Sequence, residues 1–325
     1  MKELLASFLY RRQVASRGPG RWLWTKARGG LIRFAGDPSC RMEAHGRRLE
    51  MPLSHSLPAI LSRHPCYDTL PGRLAAFLRD SGAGHLFTID VGANIGDTVA
   101  AMRPEDADLY LALEPCPRFR RFLEKNWRAA RNVVVLDAAC GEKTTEARVS
   151  FRTALGTARM GFENGPATTG VRVVAIDDLL SEQPRFARPD LIKIDTDGHD
   201  FAVLRGARRT IARVRPAVLF ECDIFGNPRY IEETLETLES FHDAGYESVI
   251  VYDNFGYLAG RYSLADRAAL EALLFYQATS EVFYFDLLLP RPGDDEAFHR
   301  AEREFFARTH AKAGLDREKL VALPR

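Results

Sequence analysis

The spacing of hydrophobic and polar residues changes at about residue 86 of this 325-residue chain. Beyond that point, short apolar runs alternate with longer amphipathic stretches, which predicts an α/β domain with a mostly parallel seven-stranded sheet and helices on both faces. The strands are expected at Leu86–Val91, Leu109–Glu114, Val133–Ala139, Leu191–Asp195, Ala217–Glu221, Ser248–Asp253 and Val282–Leu288. The helices are expected at Asp97–Met102, Arg118–Ala130, His199–Arg213, Tyr230–Ala244 and Ala265–Tyr276. This pattern assigns residues 81–290 to one domain.

The regions on either side of this domain have different patterns. Residues 1–80 are predicted to form a basic accessory region with an N-terminal helix, two short strands of a hairpin or a small edge sheet at Leu31–Phe34 and Arg48–Met51, and a helix at Tyr67–Arg79. Residues 291–325 are predicted to be a charged tail with a solvated surface helix at 296–312. The long stretch between Gly141 and Ile176 is predicted to form a hairpin-like excursion with a structural or functional role.

The charge of the chain is balanced overall but not locally. Lys and Arg number 45 against 44 Asp and Glu, a net charge of +1, so a nucleic-acid partner is not expected. Residues 1–50 nevertheless carry eleven Lys/Arg and four Asp/Glu, a local charge of +7. In the N-terminal helix, Leu4, Leu5, Phe8 and Leu9 share one face and arginines follow them. Two roles fit this helix: contact with an anionic membrane surface, or capping of the domain or of a partner subunit.

The cysteines and the lengths of the apolar runs bear on the expected cellular location of the protein. The five cysteines are scattered and have no metal-binding or redox-motif spacing, as expected for reduced thiols in the cytoplasm. No apolar run reaches the roughly 18 residues of a membrane span. We therefore expect a soluble cytoplasmic protein, with contact at the inner face of the membrane as an alternative for its N-terminal region.

The first candidate site follows the first predicted strand of the domain. There the strand ends in Asp90, and a tight turn containing Gly92, Asn94 and Gly96 leads into a helix. Glycine lets the backbone approach a ligand, and a helix N-terminus presents unpaired amides. The spacing is not the Gly-x-Gly-x-x-Gly of dinucleotide sites. It resembles the acid-x-Gly-x-Gly-x-Gly loop of S-adenosylmethionine enzymes, with Asn94 at the middle glycine.

Three further strands also end in an acidic residue. Glu114 lies where an acceptor for two ribose hydroxyls belongs, and Pro115 ends that strand. Asp195 and Glu221 end two later strands. Because the carboxyl ends of parallel strands meet at one edge of a sheet, these acids are predicted to share a site with Asp90. Lys193 lies on the same face of its strand as Asp195, and a lysine in an apolar strand requires a carboxylate partner.

These segments together resemble the FkbM-type methyltransferase family. The resemblance covers roughly residues 86–290 and is carried by Ile89-Asp90-Val91-Gly92-Ala93-Asn94-Ile95-Gly96, Leu113-Glu114-Pro115, Lys193-Ile194-Asp195-Thr196-Asp197-Gly198 and the strand from Pro216 to Glu221. Many members have Val-Glu-Gly-x-Glu after Lys-Ile-Asp, whereas this chain has Thr-Asp-Gly-His-Asp, which keeps the acidic character with shorter side chains.

The resemblance implies a Rossmann-like class I methyltransferase fold and a set of site residues. It implies that S-adenosyl-L-methionine is the cofactor and that a hydroxyl of a sugar, glycan or related natural product is O-methylated. The cofactor-binding candidates are Asp90, Gly92, Asn94, Gly96, Glu114, Pro115 and Ala139. The candidates for the catalytic base are Asp195 first, then His199 and Glu221. Asp195, Asp197 and Glu221 could supply oxygen ligands to Mg²⁺, but they do not define a metal site, and none is predicted.

Two other functions are compatible with a glycine-rich strand–helix turn. A nucleotide-cofactor oxidoreductase would bind nicotinamide, but the chain lacks the dinucleotide spacing. A non-catalytic scaffold would bind the cofactor without turnover. The sequence indicates neither the methyl acceptor nor the oligomeric state.

Overall fold

The computed structural model describes residues 2–161, 168–224 and 226–321. The strands in this part of the chain are β1 (Ser39–Ala44), β2 (Arg47–Pro52), β3 (Phe87–Val91), β4 (Leu109–Leu113), β5 (Val133–Leu136), β6 (Ala139–Cys140), β7 (Thr145–Ala154), β8 (Thr157–Gly161), β9 (Thr169–Val174), β10 (Leu191–Ile194), β11 (Ala217–Asp223), β12 (Ser248–Asp253), β13 (Leu258–Ser263) and β14 (Tyr284–Leu289). The helices are α1 (Lys2–Ala15), α2 (Gly18–Ala35), α3 (Leu57–Leu61), α4 (Leu70–Ser81), α5 (Asp97–Met102), α6 (Pro117–Trp127), α7 (Ile176–Glu182), α8 (Asp200–Arg205), α9 (Arg208–Val214), α10 (Tyr230–Asp243), α11 (Arg267–Thr279), α12 (Asp295–His310) and α13 (Arg317–Val321), with a 3₁₀ turn at Pro184–Phe186.

The main sheet contains all seven predicted strands. Its order is β13-β12-β14-β11-β10-β3-β4-β5, and β11, β10, β3, β4 and β5 are parallel neighbours. β14 lies antiparallel between β11 and β12, and β13 adds an eighth, antiparallel strand at the edge. The chain therefore winds outward in both directions from β3 and β10, the doubly wound arrangement that the alternating pattern predicts. The α/β fold is confirmed.

The two faces of the sheet are covered by different parts of the chain. One face packs against α7 to α11, through buried side chains such as Leu179, Phe201 and Leu238. The other face packs against α4, α5, α6 and α12 and, beyond them, against β1, β2 and α1. Tyr10 of α1 and Leu49 of β2 are completely buried in that second layer. The N-terminal region therefore packs into the core and reaches the carboxyl edge of the sheet.

One predicted hairpin strand is wrong. Leu31–Phe34 forms the end of α2, and the hairpin consists of β1 and β2. A four-residue apolar run fits a strand or a helix end equally well, so periodicity could not decide between them. Gly36 ends α2 in the left-handed conformation, and its N–H donates to the carbonyl of Ile32.

Two predicted elements are each divided in the structure. The predicted helix His199–Arg213 is two helices, α8 and α9. The N-terminus of α9 is capped by Asp177 of α7, whose carboxylate accepts from the backbone N–H groups of Arg209 (2.9 Å) and Thr210 (2.7 Å). The predicted strand Val133–Ala139 leaves the main sheet after Leu136, and Ala139 pairs with Val173 of β9 instead.

The predicted excursion between Gly141 and Ile176 is a small antiparallel sheet. β7 pairs with β8 and with β9, and β6 pairs with β9. Residues 162–167 of this predicted loop lie outside the described residues.

The predicted C-terminal helix is not simply solvated. α12 buries Phe298 and Glu302 against the sheet, and Glu302 accepts two hydrogen bonds from Arg73 (2.7 and 2.8 Å) and one from the Tyr252 hydroxyl (2.9 Å). The charged sequence of α12 did not indicate a buried face, because the buried acid Glu302 is neutralised by Arg73 of α4.

The described helices include none that is long and apolar enough to cross a membrane.

Candidate active site

A cleft lies at the carboxyl ends of β3 and β10, and the centre of a water-sized sphere can occupy about 130 Å³ of it. The strand order reverses between these two neighbours, and in open α/β sheets ligands bind at such a crevice. A Cβ atom at Gly92, just after β3, would lie 1.8 Å from the backbone oxygen of Asp195, just after β10. Gly92 also has a φ of +77°, so both the lack of space for a Cβ and the left-handed backbone require glycine at this position. The first predicted loop and Asp195 therefore meet, as the sequence predicts.

The loop after β3 contributes two residues to the cavity wall. Gly92 and Asn94 line the cavity, whereas Gly96 does not. Gly96 begins α5 with a φ of +84°, and its carbonyl accepts from the indole Nε1 of Trp127 at 3.1 Å. A Cβ there would lie 2.1 Å from that nitrogen. In this structure, Gly96 allows close packing of Trp127 beneath the loop.

Asn94 connects the loop to the antiparallel excursion. Its φ of +49° lies in the left-handed region, which asparagine tolerates better than most side chains. Its side-chain amide donates to the carbonyl of Gly156 at 2.7 Å, in the turn between β7 and β8. A glycine at this place could not form that link.

Glu114 lies at the end of β4 and faces the same cavity. One carboxylate oxygen accepts the backbone N–H of Cys116 at 2.8 Å, and the other accepts that of Asn94 at 2.9 Å. Burial raises the pKa of Glu114 to about 8, although the two backbone donors lower it. Pro115 and Ala139 line the cavity beside it, together with the apolar side chains of Leu113 and Phe119.

Lys193 lines the cavity and lies between two carboxylates. Its Nζ is 3.4 Å from Asp90 and 3.3 Å from Asp195. Burial alone would lower the pKa of Lys193, but the surrounding carboxylates raise it well above its usual value. The partner that the sequence predicts for Lys193 is therefore present. Asp90 is completely buried and does not line the cavity, and apart from its ion pair with Lys193 its oxygens have no hydrogen-bond partner within the described residues.

The three candidates for the base occupy different positions. Asp195 lines the cavity, and its side chain is 48% exposed. Glu221 lies behind Asp195 and shares a side-chain hydrogen bond with it, while burial and the charge of Asp195 raise the pKa of Glu221 well above its usual value. Glu221 lines a separate crevice with Asp200. The closeness of the two carboxyl groups favours the protonated form of Glu221, which can donate to Asp195.

His199 lines the cavity beside Asp195 and contacts the excursion. Its Nε2 lies 3.0 Å from the carbonyl oxygen of Met160. Since a carbonyl oxygen only accepts, Nε2 carries the proton and donates. His199 thereby ties the end of β8 to the start of α8.

Residues from the N-terminal region close one side of the cavity. His55, Leu57, Tyr67 and Asp68 line it, and the backbone N–H of Ser56 donates to the carbonyl of Leu155 at 2.8 Å. Burial lowers the pKa of His55 to about 4, so its imidazole is neutral at neutral pH. The cavity is thus enclosed by the sheet edge, the β7–β8 turn and a segment from before the domain.

Sequence reasoning missed several acids near this cavity. Burial, together with the charge of Asp97, raises the pKa of Asp68 to about 6. Burial, together with the charge of Asp68, raises the pKa of Asp286 well above its usual value. Asp286 interrupts the apolar run of β14, which is the same signal that singled out Lys193. Asp68 precedes a helix and looks in sequence like an ordinary capping residue.

No group of three or more His, Cys, Asp or Glu side chains suited to hold a metal ion occurs within the described residues. Asp195 instead pairs with Lys193, and Glu221 hydrogen-bonds to Asp195.

Part of the sequence matches the model of a known protein family. The sequence model of the methyltransferase FkbM domain matches residues 90–248, the segment from Asp90 to the start of β12. The chain carries a methyltransferase FkbM domain. The four acid-terminated strands of the candidate site, β3, β4, β10 and β11, fall within or at the edge of this match. The Rossmann-like class I methyltransferase fold that the resemblance implies is confirmed.

This chain is similar to a curated protein and to several solved structures. It is 32% identical over 130 residues to the hexuronic acid methyltransferase AglP of Haloferax volcanii, a match that covers 38% of this chain and about half (51%) of that relative. A methyltransferase FkbM structure from Methylobacillus flagellatus has a TM-score of 0.41 at 16% identity, covering 72% of this chain and 53% of that one. The precorrin-6y C5,15-methyltransferase of Geobacter metallireducens has a TM-score of 0.35 at 14% identity, covering 67% and 85%.

Proposed function

We propose that this protein transfers the methyl group of S-adenosylmethionine to a hydroxyl oxygen of a sugar or glycan. The observation that carries the proposal is the meeting of the Gly92 loop, Glu114 and Asp195 around one cavity at the switch point of the FkbM domain. The match to a hexuronic acid methyltransferase supports a sugar as the acceptor class.

The residues around the cavity fit the cofactor. Gly92 lines the cavity with backbone atoms alone, because the backbone oxygen of Asp195 fills the space that a Cβ would take. Glu114 keeps acceptor capacity for ribose hydroxyls, because each of its oxygens has one backbone donor and a second lone pair. Leu113, Phe119 and Ala139 offer an apolar wall for the adenine ring. When bound, S-adenosylmethionine supplies a methyl group on a positively charged sulfur.

Asp195 is the group best placed to take the proton of the acceptor hydroxyl. It is the exposed member of the Asp90–Lys193–Asp195 cluster, so an acceptor in the cavity can reach it. Lys193 and Glu221 hold its carboxylate in place from below and behind. Its role is that of a general base and a positioning group for the hydroxyl.

The charge of the cavity restricts the acceptor. Asp68, Asp97, Asp195 and Asp197 all line it, and Lys193, already paired, is the one lysine or arginine among its described lining residues. A carboxylate on the sugar ring being methylated would meet this acidic wall without a free cation to pair with. We therefore expect the ring that carries the reacting hydroxyl to be neutral or cationic.

The proposal is tested with the purified chain, methyl-labelled S-adenosylmethionine and a panel of neutral hexosides, amino sugars and hexuronosides. We expect label to enter a neutral or amino sugar as an ether that survives mild alkali, whereas a methyl ester would be lost. Asp195→Asn should abolish most of the transfer, and the exposed Asp106→Asn should not. Labelling of the hexuronoside alone would contradict the acceptor class, and binding of NAD without S-adenosylmethionine would contradict the proposed activity.

A cofactor-binding scaffold is the remaining alternative, and it predicts a different result. Such a protein would bind S-adenosylhomocysteine through Glu114 but would transfer no label to any sugar. Loss of binding in Glu114→Ala, with no turnover in the native chain on the whole panel, would favour the scaffold.

A further inference from the structure

The two N-terminal helices expose an unusual number of large apolar side chains. In α1 and α2 the exposed fractions reach 74% for Leu4, 64% for Trp22 and 84% for Phe34. Leu5, Phe8 and Leu23 are also more than 40% exposed. Single exposed apolar residues are ordinary, but six on two adjacent helices form a patch that indicates an interaction surface. We call these six residues the N-terminal apolar patch.

The opposite faces of these helices are firmly held by the rest of the protein. Ala6 and Tyr10 of α1 are buried, and Arg28 of α2 donates to the carbonyls of Leu53 (2.7 Å) and His55 (3.0 Å) while lying 3.9 Å over the ring of Tyr10. The helices therefore cannot turn to bury the N-terminal apolar patch without losing these contacts. The patch is a fixed outer surface.

Basic side chains are interspersed with this patch. Arg12 lies 5.3 Å over the ring of Phe8, Lys26 lies 5.8 Å over Trp22, and Arg33 lies 5.6 Å over Phe34. Glu3 is the one acidic residue of the two helices, and it pairs with Arg41 at 2.9 Å. The exposed cations of the segment are Lys2, Arg11, Arg12, Arg17, Lys26 and Arg33.

We propose that α1 and α2 dock this protein on the surface of an anionic lipid bilayer. Leucine, phenylalanine and tryptophan enter the boundary between headgroups and acyl chains, while lysine and arginine remain at the level of the lipid phosphates. Each basic side chain near an anionic leaflet adds attraction that falls off within a Debye length. Both kinds of side chain are exposed on these two helices, and three of the cations lie over rings of the N-terminal apolar patch.

The charge favours lipid over a second copy of this chain. A symmetric dimer through the N-terminal apolar patch would place two strongly basic surfaces together, and like charges in an interface oppose association. An anionic bilayer supplies negative charge and an apolar layer at once.

Vesicle binding of the full chain tests the proposal. We expect the chain to bind phosphatidylcholine vesicles that contain phosphatidylglycerol, to bind pure phosphatidylcholine at least tenfold more weakly, and to be released by salt. The double variants Trp22→Ser/Leu23→Ser and Lys26→Glu/Arg33→Glu should each lose tenfold or more in affinity. Phe275→Ser/Tyr276→Ser on α11, whose rings are 65% and 55% exposed, is the matched apolar control and should bind normally.

Tryptophan fluorescence reports which part of the chain meets the lipid. The chain has three tryptophans; Trp127 is 3% exposed, and Trp22 is 64% exposed. Binding should shift the emission to shorter wavelength, and Trp22→Phe should remove most of the shift while the vesicles still bind.

Several results would overturn the proposal. They are absence of binding to anionic vesicles, equal binding by neutral vesicles, and normal binding by the Trp22→Ser/Leu23→Ser variant. A dimer of the native chain that this variant dissociates would identify a second copy as the occupant instead. Melting temperatures equal to that of the native chain would exclude misfolding of the variants as the cause of lost binding.

Discussion

At the scale of single residues, the carboxylates around Lys193 differ in their access to water. Asp90 is completely buried, whereas the side chain of Asp195 is 48% exposed, although both lie within 3.4 Å of the same ammonium group. A buried partner cannot be replaced by water, so removing its charge leaves Lys193 poorly compensated. An exposed partner is partly replaced by solvent. We therefore expect Asp90 to contribute mainly to stability and Asp195 mainly to the reaction.

This division predicts opposite effects of two matched substitutions. Asp195→Asn should reduce turnover about a hundredfold or more, with a change of stability within about 1 kcal/mol and little change in affinity for S-adenosylhomocysteine. Asp90→Asn should destabilise the fold by about 3–5 kcal/mol. Turnover, calorimetric affinity and urea unfolding of both variants check this. Near-native turnover in a stable Asp195→Asn protein would remove Asp195 as the base.

The raised pKa of Glu114 predicts that cofactor binding depends on pH. If the ribose hydroxyls of the proposed cofactor donate to the ionised carboxylate, a bound ligand stabilises the ionised form and lowers this pKa from about 8. Affinity for S-adenosylhomocysteine should therefore rise up to about fiftyfold between pH 6 and pH 8 and then level off.

Titration calorimetry of the native chain and of Glu114→Gln measures this effect. The glutamine variant keeps the size of the side chain but cannot ionise, so its affinity should be lower and should lack the rise. The same pH profile in both proteins would show that another group, or the ligand itself, titrates.

At the scale of elements, one wall of the cavity is the β7–β8 turn, which belongs to the small antiparallel sheet and not to the main sheet. The β7–β8 turn is tied to the loop after β3 by the Asn94 amide and to the N-terminal region by the Ser56 N–H, and His199 ties the end of β8 to α8. These three links hold the excursion over the candidate site.

Asn94→Gly tests the first of these links. Glycine accepts the left-handed backbone at this position, so the substitution removes the side-chain hydrogen bond to Gly156 without straining the loop. We expect faster hydrogen exchange in 145–161 and a higher KM for the acceptor, with the melting temperature nearly unchanged. Asn254→Gly, in the turn between β12 and β13, is the matched control and should change neither. Unchanged exchange in 145–161 would show that the other two links suffice.

The same elements show what hydrophobic patterning could predict. Strands of the main sheet were predictable because a buried parallel strand is a short apolar run that ends at a polar residue. The division of helix His199–Arg213 was not, because Asp177, which caps α9, lies 33 residues before Thr210. The end of β5 was likewise hidden, since the partner of Ala139 is Val173 in another sheet.

At the scale of the whole molecule, the sequence predicted the residues of the candidate site that follow strands of the main sheet, but not those that the N-terminal region contributes. Asp90, Glu114, Asp195 and Glu221 follow strands, and sheet topology alone brings strand ends together. His55, Tyr67 and Asp68 come from a region that looked like an accessory segment, and they reach the cavity only through long-range packing of β1 and β2 on the sheet. No local pattern in those residues could indicate such contacts.

The buried acids of the molecule together predict how its stability depends on pH. Burial, with the charge of Asp195, raises the pKa of Asp200 to about 7, although the Thr196 hydroxyl donates to it at 2.8 Å. The folded chain therefore holds a proton that the unfolded chain releases at about pH 4, so the contribution of Asp200 to stability is greatest below about pH 4 and is lost as the pH rises through about 7. Glu114, Glu221 and Asp286 have raised pKa values as well and act in the same direction.

Asp200→Asn isolates one contribution to this slope. Asparagine still accepts from Thr196 but carries no charge, so the variant should be up to about 4 kcal/mol more stable than the native chain at pH 8 and nearly equal to it at pH 4. Urea unfolding at both pH values measures the difference. Asp106→Asn, a change at an exposed acid, should alter stability equally at pH 8 and at pH 4 or not at all. A destabilised Asp200→Asn protein at pH 8 would mean that the ionised carboxylate of Asp200 supports the fold, because its bonds to Thr196 would then outweigh both its burial and its repulsion by Asp195.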